Sequence, residues 1–349
     1  MKRTENALEQ IRRRPGMYVG GTEAYGLHQL LWEAVGNVID LHLAQQLTTM
    51  HVELTPDGWV TVCDDGPGMS PAVVAEAFTT LHLGGTFDGH LPHVHVTQGM
   101  RGLGVVVINA LSSDVVVETT FEGVRYRHSF ASTKAAPVET LGPSTTEGTS
   151  MRFRPDPKIF RTLAFDTRIV RERLQELAWL NPLLRVFWQG ERLSGRGGLL
   201  GWANSIATQR HATTATFATR DTVDHVSVDI ALVWADGITV PVIHSFVNQN
   251  RSTSGTHVDG LWAGFAAHAN AQPGKKRRRL SIEAVQERAS WALIAIIHVG
   301  LLHPSYRNPT REHLASPEAG IAVARTLERG LPVAASIDSR LREQLTHWQ

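Results

Sequence analysis

Six glycines fall between Leu81 and Gly104, and the last of them, in Gly99-Met100-Arg101-Gly102-Leu103-Gly104, run straight into the apolar stretch VVVINAL. No other feature restricts the fold as much. A glycine cluster that opens a helix presents unpaired backbone N–H groups where the helix dipole adds positive charge, and the two together make an anion site. VVVINAL alone reads equally as a buried strand, and its place after the glycines tips the expectation to helix. The segment from Leu81 to Gly104 is long for a loop in a compact domain, which predicts a lid.

Upstream, Leu27, Leu30, Leu31, Ala34, Val35 and Val38 recur at helical spacing and predict a helix over 27–46. Glu33, Asn37 and Asp40 lie at i, i+4 and i+7 and so share one stripe of it. An acid beside a carboxamide suits one kind of chemistry, in which the carboxylate takes a proton from an attacking water while the amide oxygen ligates Mg²⁺ whose other ligands are phosphate oxygens and waters. By spacing alone, a solvent-facing polar stripe is the commoner explanation. His51 to Leu54 and Trp59 to Cys63 read as strands joined by Thr55-Pro56-Asp57-Gly58. Asp64-Asp65-Gly66-Pro67-Gly68 ends the second strand. A carboxylate there can accept the exocyclic amine of adenine, and Gly66 and Gly68 let backbone approach a flat base, although an isolated DxGxG is more often a simple turn. A hairpin is expected from Asp114 to Thr119 and Val124 to Phe130, a strand from Ser150 to Phe153, and an amphipathic helix from Thr167 to Leu180. Thr149 could share a water or a donor with the adenine edge. These elements describe an α+β sandwich, one mixed sheet covered by helices on one face.

At 349 residues the chain is expected to form two domains, 1–200 and 201–349. The second carries strand-like runs at Val226 to Trp234 and Ile238 to Asn248, helices at His257 to Asn270 and Ile282 to Trp291, a strand at Leu293 to Val299, and helices from about Ser316. Cys63 is the single cysteine, which excludes an intrachain disulfide and suggests a reducing compartment. With no apolar h-region at the N-terminus and no run long enough to span a bilayer, the expectation is a cytoplasmic protein without membrane contact. A net charge of +1 says little about partners. Two clusters stand out, Arg12 to Arg14 and the run Lys275, Lys276, Arg277, Arg278 and Arg279, either of which suits phosphate contacts or a solvated loop.

Order and spacing make the sequence specific. IRRRPGMYVGGT (11–22), EAVGNVID (33–40), VTVCDDGPGM (60–69), LHLGGTFD (81–88), GMRGLGVVVINALS (99–112) and EGTSMRF (147–153) resemble successive blocks of the gyrase B ATPase region. This is the type IIA topoisomerase branch of the superfamily that also holds chaperones, histidine kinases and mismatch-repair ATPases. The likeness continues through SGTHVDGL (254–261) and NPTREHLASPE (308–318). It implies a Bergerat-type sandwich followed by a transducer domain of ribosomal S5 domain 2-like fold. It further implies ATP as the ligand with Mg²⁺ on Asn37, and Glu33 as the general base. Asp64 would take the adenine amine with Thr149 assisting, and Gly66 and Gly68 would floor the pocket. Gly99, Gly102, Leu103 and Gly104 would wrap the triphosphate, Arg127 would stand at the pocket mouth, and Arg311 would be the transducer's γ-phosphate contact.

The sequence departs from that pattern in places. The family's Gln-Thr-Lys loop reads Pro309-Thr310-Arg311 here, which keeps a charge with bidentate capacity and loses an amide. Pro67 and Leu41 replace an arginine and an acid. The N-terminal arm is shorter, and no metal-binding TOPRIM or DNA-gate region follows, so strand passage would need a separate subunit. The expected function is therefore a nucleotide-operated clamp that dimerises on ATP binding and hydrolyses ATP, with DNA contact through residues 275–279. An alternative is a nucleotide-dependent regulatory switch with little turnover. A histidine-kinase or chaperone relative fits less well, because neither family is expected to carry the Pro-Gly-Met-Tyr entry.

Overall fold

The computed structural model describes residues 7–80, 104–209, 216–235, 240–271, 279–289, 293–308 and 311–346. The chain divides into two compact units, Met1–Gly195 and Arg196–Gln349.

The first unit contains α1 (Ala7–Arg13), α2 (Gly16–Val19), α3 (Ala24–Leu43), β1 (Thr49–Leu54), β2 (Val60–Asp64), α4 (Pro71–Thr79), α5 (Gly104–Leu111), β3 (Ser112–Phe121), β4 (Val124–Ala131), β5 (Lys134–Ala135), β6 (Glu139–Pro143), β7 (Thr149–Pro155), α6 (Thr167–Leu180), β8 (Arg185–Trp188) and β9 (Glu191–Leu193). Among the described residues its mixed sheet has nine strands in the order β5-β4-β3-β7-β2-β1-β8-β9, with β6 also paired to β4. These pairings are antiparallel except β1 with β8.

Strand alternation decides the faces. Val60, Val62, Val115, Val117, Met151 and Phe153 turn to one side of the sheet and are buried with the apolar residues of α3, α5 and α6. The intervening residues, among them Thr61, Cys63, Glu118, Arg127 and Arg152, take the other side. The hairpin turn between β3 and β4 is Glu122-Gly123, both in the left-handed region that a two-residue connection requires. Asp166 caps α6, accepting from the N–H groups of Arg168 (2.9 Å) and Ile169 (3.2 Å).

Arg12, from the first basic cluster, has a structural use. Its guanidinium pairs with Asp156 at 2.5 Å and donates to the Ala110 carbonyl at 2.7 Å, fastening α1 to the end of α5.

The second unit contains α7 (Gly198–Gln209), β10 (Phe217–Val223), β11 (Val226–Trp234), β12 (Val242–Val247), β13 (Asn250–Arg251), β14 (Ser254–Gly255), α8 (Thr256–Ala271), α9 (Ile282–Ala289), β15 (Leu293–Gly300), β16 (His313–Leu314), α10 (Pro317–Ile337) and α11 (Ser339–Thr346). Its five-stranded sheet runs β10-β11-β15-β12-β13, and β14 pairs with β16 in a small parallel ladder. The consecutive strands β11 and β12 are not neighbours. β15 lies between them, antiparallel to β11 and parallel to β12, and is buried on nearly every residue, as a central strand must be. α8 and α10 pack together over a core of Leu261, Phe265, Val323, Leu327 and the inward residues of β11 and β15. Among the described residues no helix is long and apolar enough to cross a membrane.

Candidate nucleotide site

The alternation of β2 explains the first functional side chain. In Val60-Thr61-Val62-Cys63-Asp64, positions 60, 62 and 64 face the same way, so Asp64 is the last member of an apolar inward series. Strand register then sets Asp64 beside Thr149 and Thr149 beside Thr119, which puts the three side chains in one row on the helix-covered side. Burial pushes the Asp64 carboxyl up to about 6, against the lowering effect of the Gly66 and Thr149 N–H groups. The Gly66 bond measures 2.9 Å. Asp65, one residue on, behaves oppositely. Its partial burial would raise it, but the N–H and hydroxyl groups of both Thr48 and Thr49 donate to it at 2.7–2.8 Å and bring it down to about 2. Asp65 is therefore a permanently charged staple to the start of β1, whereas Asp64 is a poised, partly desolvated acceptor.

Backbone packing builds the wall next to it. Gly68 has φ of +71°, and a Cβ there would sit 1.9 Å from the Thr120 carbonyl oxygen. Gly148, at φ +129°, would place a Cβ 2.3 Å from the carbonyl oxygen of Asp64. Thr119 Oγ1 accepts from the Met69 N–H at 2.8 Å and holds the turn after Gly68. Thr119 is a participant that sequence reading passed over. The only signal for it was its place opposite Thr149, which is visible once the register is known.

The second group of expected residues converges at the start of α5. A Cβ on Gly104 would lie 2.8 Å from Glu33 Oε2 and 3.8 Å from Asn37 Nδ2. Two residues of α3 and the first residue of α5 thus share one spot. The Asn37 Nδ2 position is buried with no hydrogen-bond partner among the described residues, and since oxygen and nitrogen of a carboxamide are assigned from their surroundings, that atom is a polar contact of either kind. Asn109 anchors the same helix, donating from Nδ2 to the Phe78 carbonyl at 2.7 Å and so tying α5 to the end of α4.

Other expected residues stand apart. Arg127 pairs in register with Glu118, which lies opposite Ser150 and, through it, Cys63. Register sets it on the face away from Asp64 and Thr149, where it binds Glu118 at 2.8 Å and Glu139 at 3.3 Å. Gly99, Gly102 and Leu103, the rest of the expected lid from Leu81, and Lys275 through Arg278 lie outside the described residues. Arg279 is exposed at the entry to α9. Arg311 belongs to the second unit, with φ of +60°.

The sandwich with these two residue groups defines the class: a histidine kinase-, DNA gyrase B- and HSP90-like ATPase, whose family model matches residues 22–159. The DNA gyrase B model matches residues 198–344, so each of the two units is similar to part of the gyrase B type of ATPase region. The DNA gyrase B protein of Archaeoglobus fulgidus is 33% identical over 93% of this chain and 54% of its own length. That of Campylobacter jejuni is 33% identical over 88% and 42%. The chain thus spans about half the length of the curated relatives it matches. Among solved structures, the 43K ATPase domain of Thermus thermophilus gyrase B, in complex with an aminocoumarin, superposes with a TM-score of 0.78 at 27% identity, covering 97% of this chain and 94% of that one. The gyrase B protein of Myxococcus xanthus gives 0.81 at 25%, covering 98% and 99%. The fold is accordingly the Bergerat-type sandwich followed by a transducer domain.

Proposed function

We propose that the chain binds ATP with Mg²⁺ between Asp64 and the start of α5, hydrolyses it, and uses the nucleotide to close a dimer. The observation that carries this reading is the meeting of Glu33, Asn37 and Gly104 at one point. The fit to a metal-bound triphosphate is good on two counts. The space at Gly104 is a cradle that a Cβ would fill, and the Asn37 amide keeps a buried atom without a partner among the described residues. Asn37 would hold the Mg²⁺, which supplies neutralisation of the phosphate charge. Glu33 accepts the proton of the attacking water. Asp64, ionised above about pH 6, accepts the adenine amine, and Thr149 and Thr119 line the same row. DNA contact falls to the basic run ending at Arg279, and strand passage falls to a separate subunit.

Phosphate release and sedimentation of the purified chain test the reading together. Wild-type protein is expected to hydrolyse ATP slowly and to dimerise with a non-hydrolysable analogue and Mg²⁺. Glu33→Ala should lower turnover by about 10²-fold or more while nucleotide binding persists. An alanine variant with wild-type turnover removes Glu33 as the base. Pro309, which lacks the side-chain amide of the family's loop, supports the second reading, a regulatory switch; analogue-driven dimerisation without any turnover would select it.

A further inference from the structure

α5 is eight residues long, about 12 Å of helix, and its two ends meet different parts of the first unit. At its start Gly104 stands close to Glu33 and Asn37, with so little room that a Cβ would lie 2.8 Å from Glu33 Oε2. Its buried side chains are apolar apart from Asn109, among them Val106, Val107, Ile108 and Leu111. Apolar contacts are non-directional, so they keep the helix in the core without fixing how far it stands along its own axis. That is left to hydrogen bonds.

Three bonds serve this purpose, all in the last turn. Asn109 Nδ2 donates to the Phe78 carbonyl at 2.7 Å. Arg12 Nη1 donates to the Ala110 carbonyl at 2.7 Å, and the Asp156 N–H donates to the Leu111 carbonyl at 3.0 Å. Ala110 and Leu111 offer carbonyls that no further turn of helix can satisfy, and a guanidinium there also meets the negative end of the dipole. The two donors at that end are themselves joined. Arg12 Nη2 pairs with Asp156 Oδ2 at 2.5 Å, and Asp156 Oδ1 accepts from the Lys158 N–H at 2.8 Å. The Asp156 side chain is 4% exposed and that of Arg12 25%, so solvent and salt screen the pair less than they would a surface one. Arg12 is also seated from behind. It follows Leu8 by four residues and Ile11 by one, and both are buried where α1 packs on α5.

We infer that Arg12 and Asp156 are positioning residues that set the axial place of α5, and through it the approach of Gly104 to Glu33 and Asn37. The inference rests on the reading of that spot as the site of the metal-bound phosphates. A short helix is stiff along its axis, so a slip at Ala110 and Leu111 arrives undiminished at Gly104. Displacements of about 1 Å at such a site are felt in binding and rate.

Calorimetric titration of the intact chain with two ligands tests it: adenosine, which reaches only the Asp64 end, and a non-hydrolysable ATP analogue with Mg²⁺, which reaches both. Arg12→Met removes the guanidinium and keeps an apolar stem, and it is expected to weaken the analogue about three- to tenfold while leaving adenosine unchanged. Asp156→Asn keeps an oxygen for Arg12 and for the Lys158 N–H, so it should show the same selectivity with a smaller loss, and it carries the comparison should Arg12→Met not fold. Hydrogen exchange follows the helix directly, with the Ile108 to Leu111 amides expected to exchange faster in both variants and those of α6 at the wild-type rate. Equal weakening of both ligands, or wild-type affinity for both, overturns the positioning role and leaves the nucleotide reading intact. A wild-type chain that binds adenosine as tightly as the analogue has no phosphate contact at Gly104, which overturns that reading and the inference with it.

Discussion

Asp64 and Asp65 are neighbours in sequence with opposite electrostatics, and the reason is which way each points. Asp64 has a folded-state value of about 6, above the ordinary 3.8, so the stability it contributes is full below the ordinary value and is lost as pH rises through about 6. Asp65, held near 2, contributes stability that is present above 3.8 and lost as pH falls toward 2. The acid with the raised value is the one we propose as the ligand contact, and perturbed carboxyls are common at binding sites. Because only the ionised carboxylate accepts an amine at both oxygens, nucleotide affinity should weaken as pH falls below about 6. Calorimetric titration on either side of that value checks it, with Asp64→Asn expected to bind more weakly and without the inflection. An affinity that stays flat through pH 6 in the wild type would show that Asp64 does not carry the contact. At this scale the sequence is legible where helical spacing fixes direction: it puts Glu33 and Asn37 on one stripe of a helix, and the two meet at Gly104, whereas the roles of Glu33, Asn37 and Asp64 come from the resemblance. Thr119 is not legible, since its role depends on being opposite Thr149 across two strands.

Elements with their own start signals were read almost to the residue. Thr167–Leu180 is both the expected and the observed helix, because an Asp cap and a following Asn-Pro mark its ends. Replacing Asp166 with alanine frees two N–H groups and should cost about 1 kcal/mol, measured as a lower denaturation midpoint with an unchanged slope. A midpoint within error of wild type would mean water caps the helix equally well. α4 carried a comparable signal, Ser70 before Pro71, with Ser70 Oγ accepting from the Val73 N–H at 3.4 Å, yet its nine residues lie in the shadow of the glycine loop. β10 gave no signal. Its central residues, Ala218 to Thr222, are polar or small and alternate between half-buried and exposed, so only pairing with β11 makes it a strand. The insertion of β15 between β11 and β12 was equally out of reach, since parallel pairing across a long crossover leaves no local mark.

Over the whole molecule, each unit has its own apolar core, one under the nine-stranded sheet and one between the five-stranded sheet and α8 with α10. Scanning calorimetry is therefore expected to show two transitions. A nucleotide analogue with Mg²⁺ at about 100 times its Kd should stabilise the transition of the first unit by about 2.7 kcal/mol. Equal upward shifts of both transitions would assign the ligand to both units. Length and the restart of strand patterning point to two units, whereas the strand orders within each unit depend on pairings between distant segments that leave no local mark in the sequence.

Gly68 and Gly148 leave no room for a Cβ, one against the carbonyl of Thr120 and the other against that of Asp64. Both obstacles are main-chain atoms, which no compensating substitution elsewhere can trim. These two backbone positions are consequently closed to mutational drift: an inhibitor that took its grip from the peptide groups there would face few viable escape variants, in contrast to one that leaned on an exchangeable side chain.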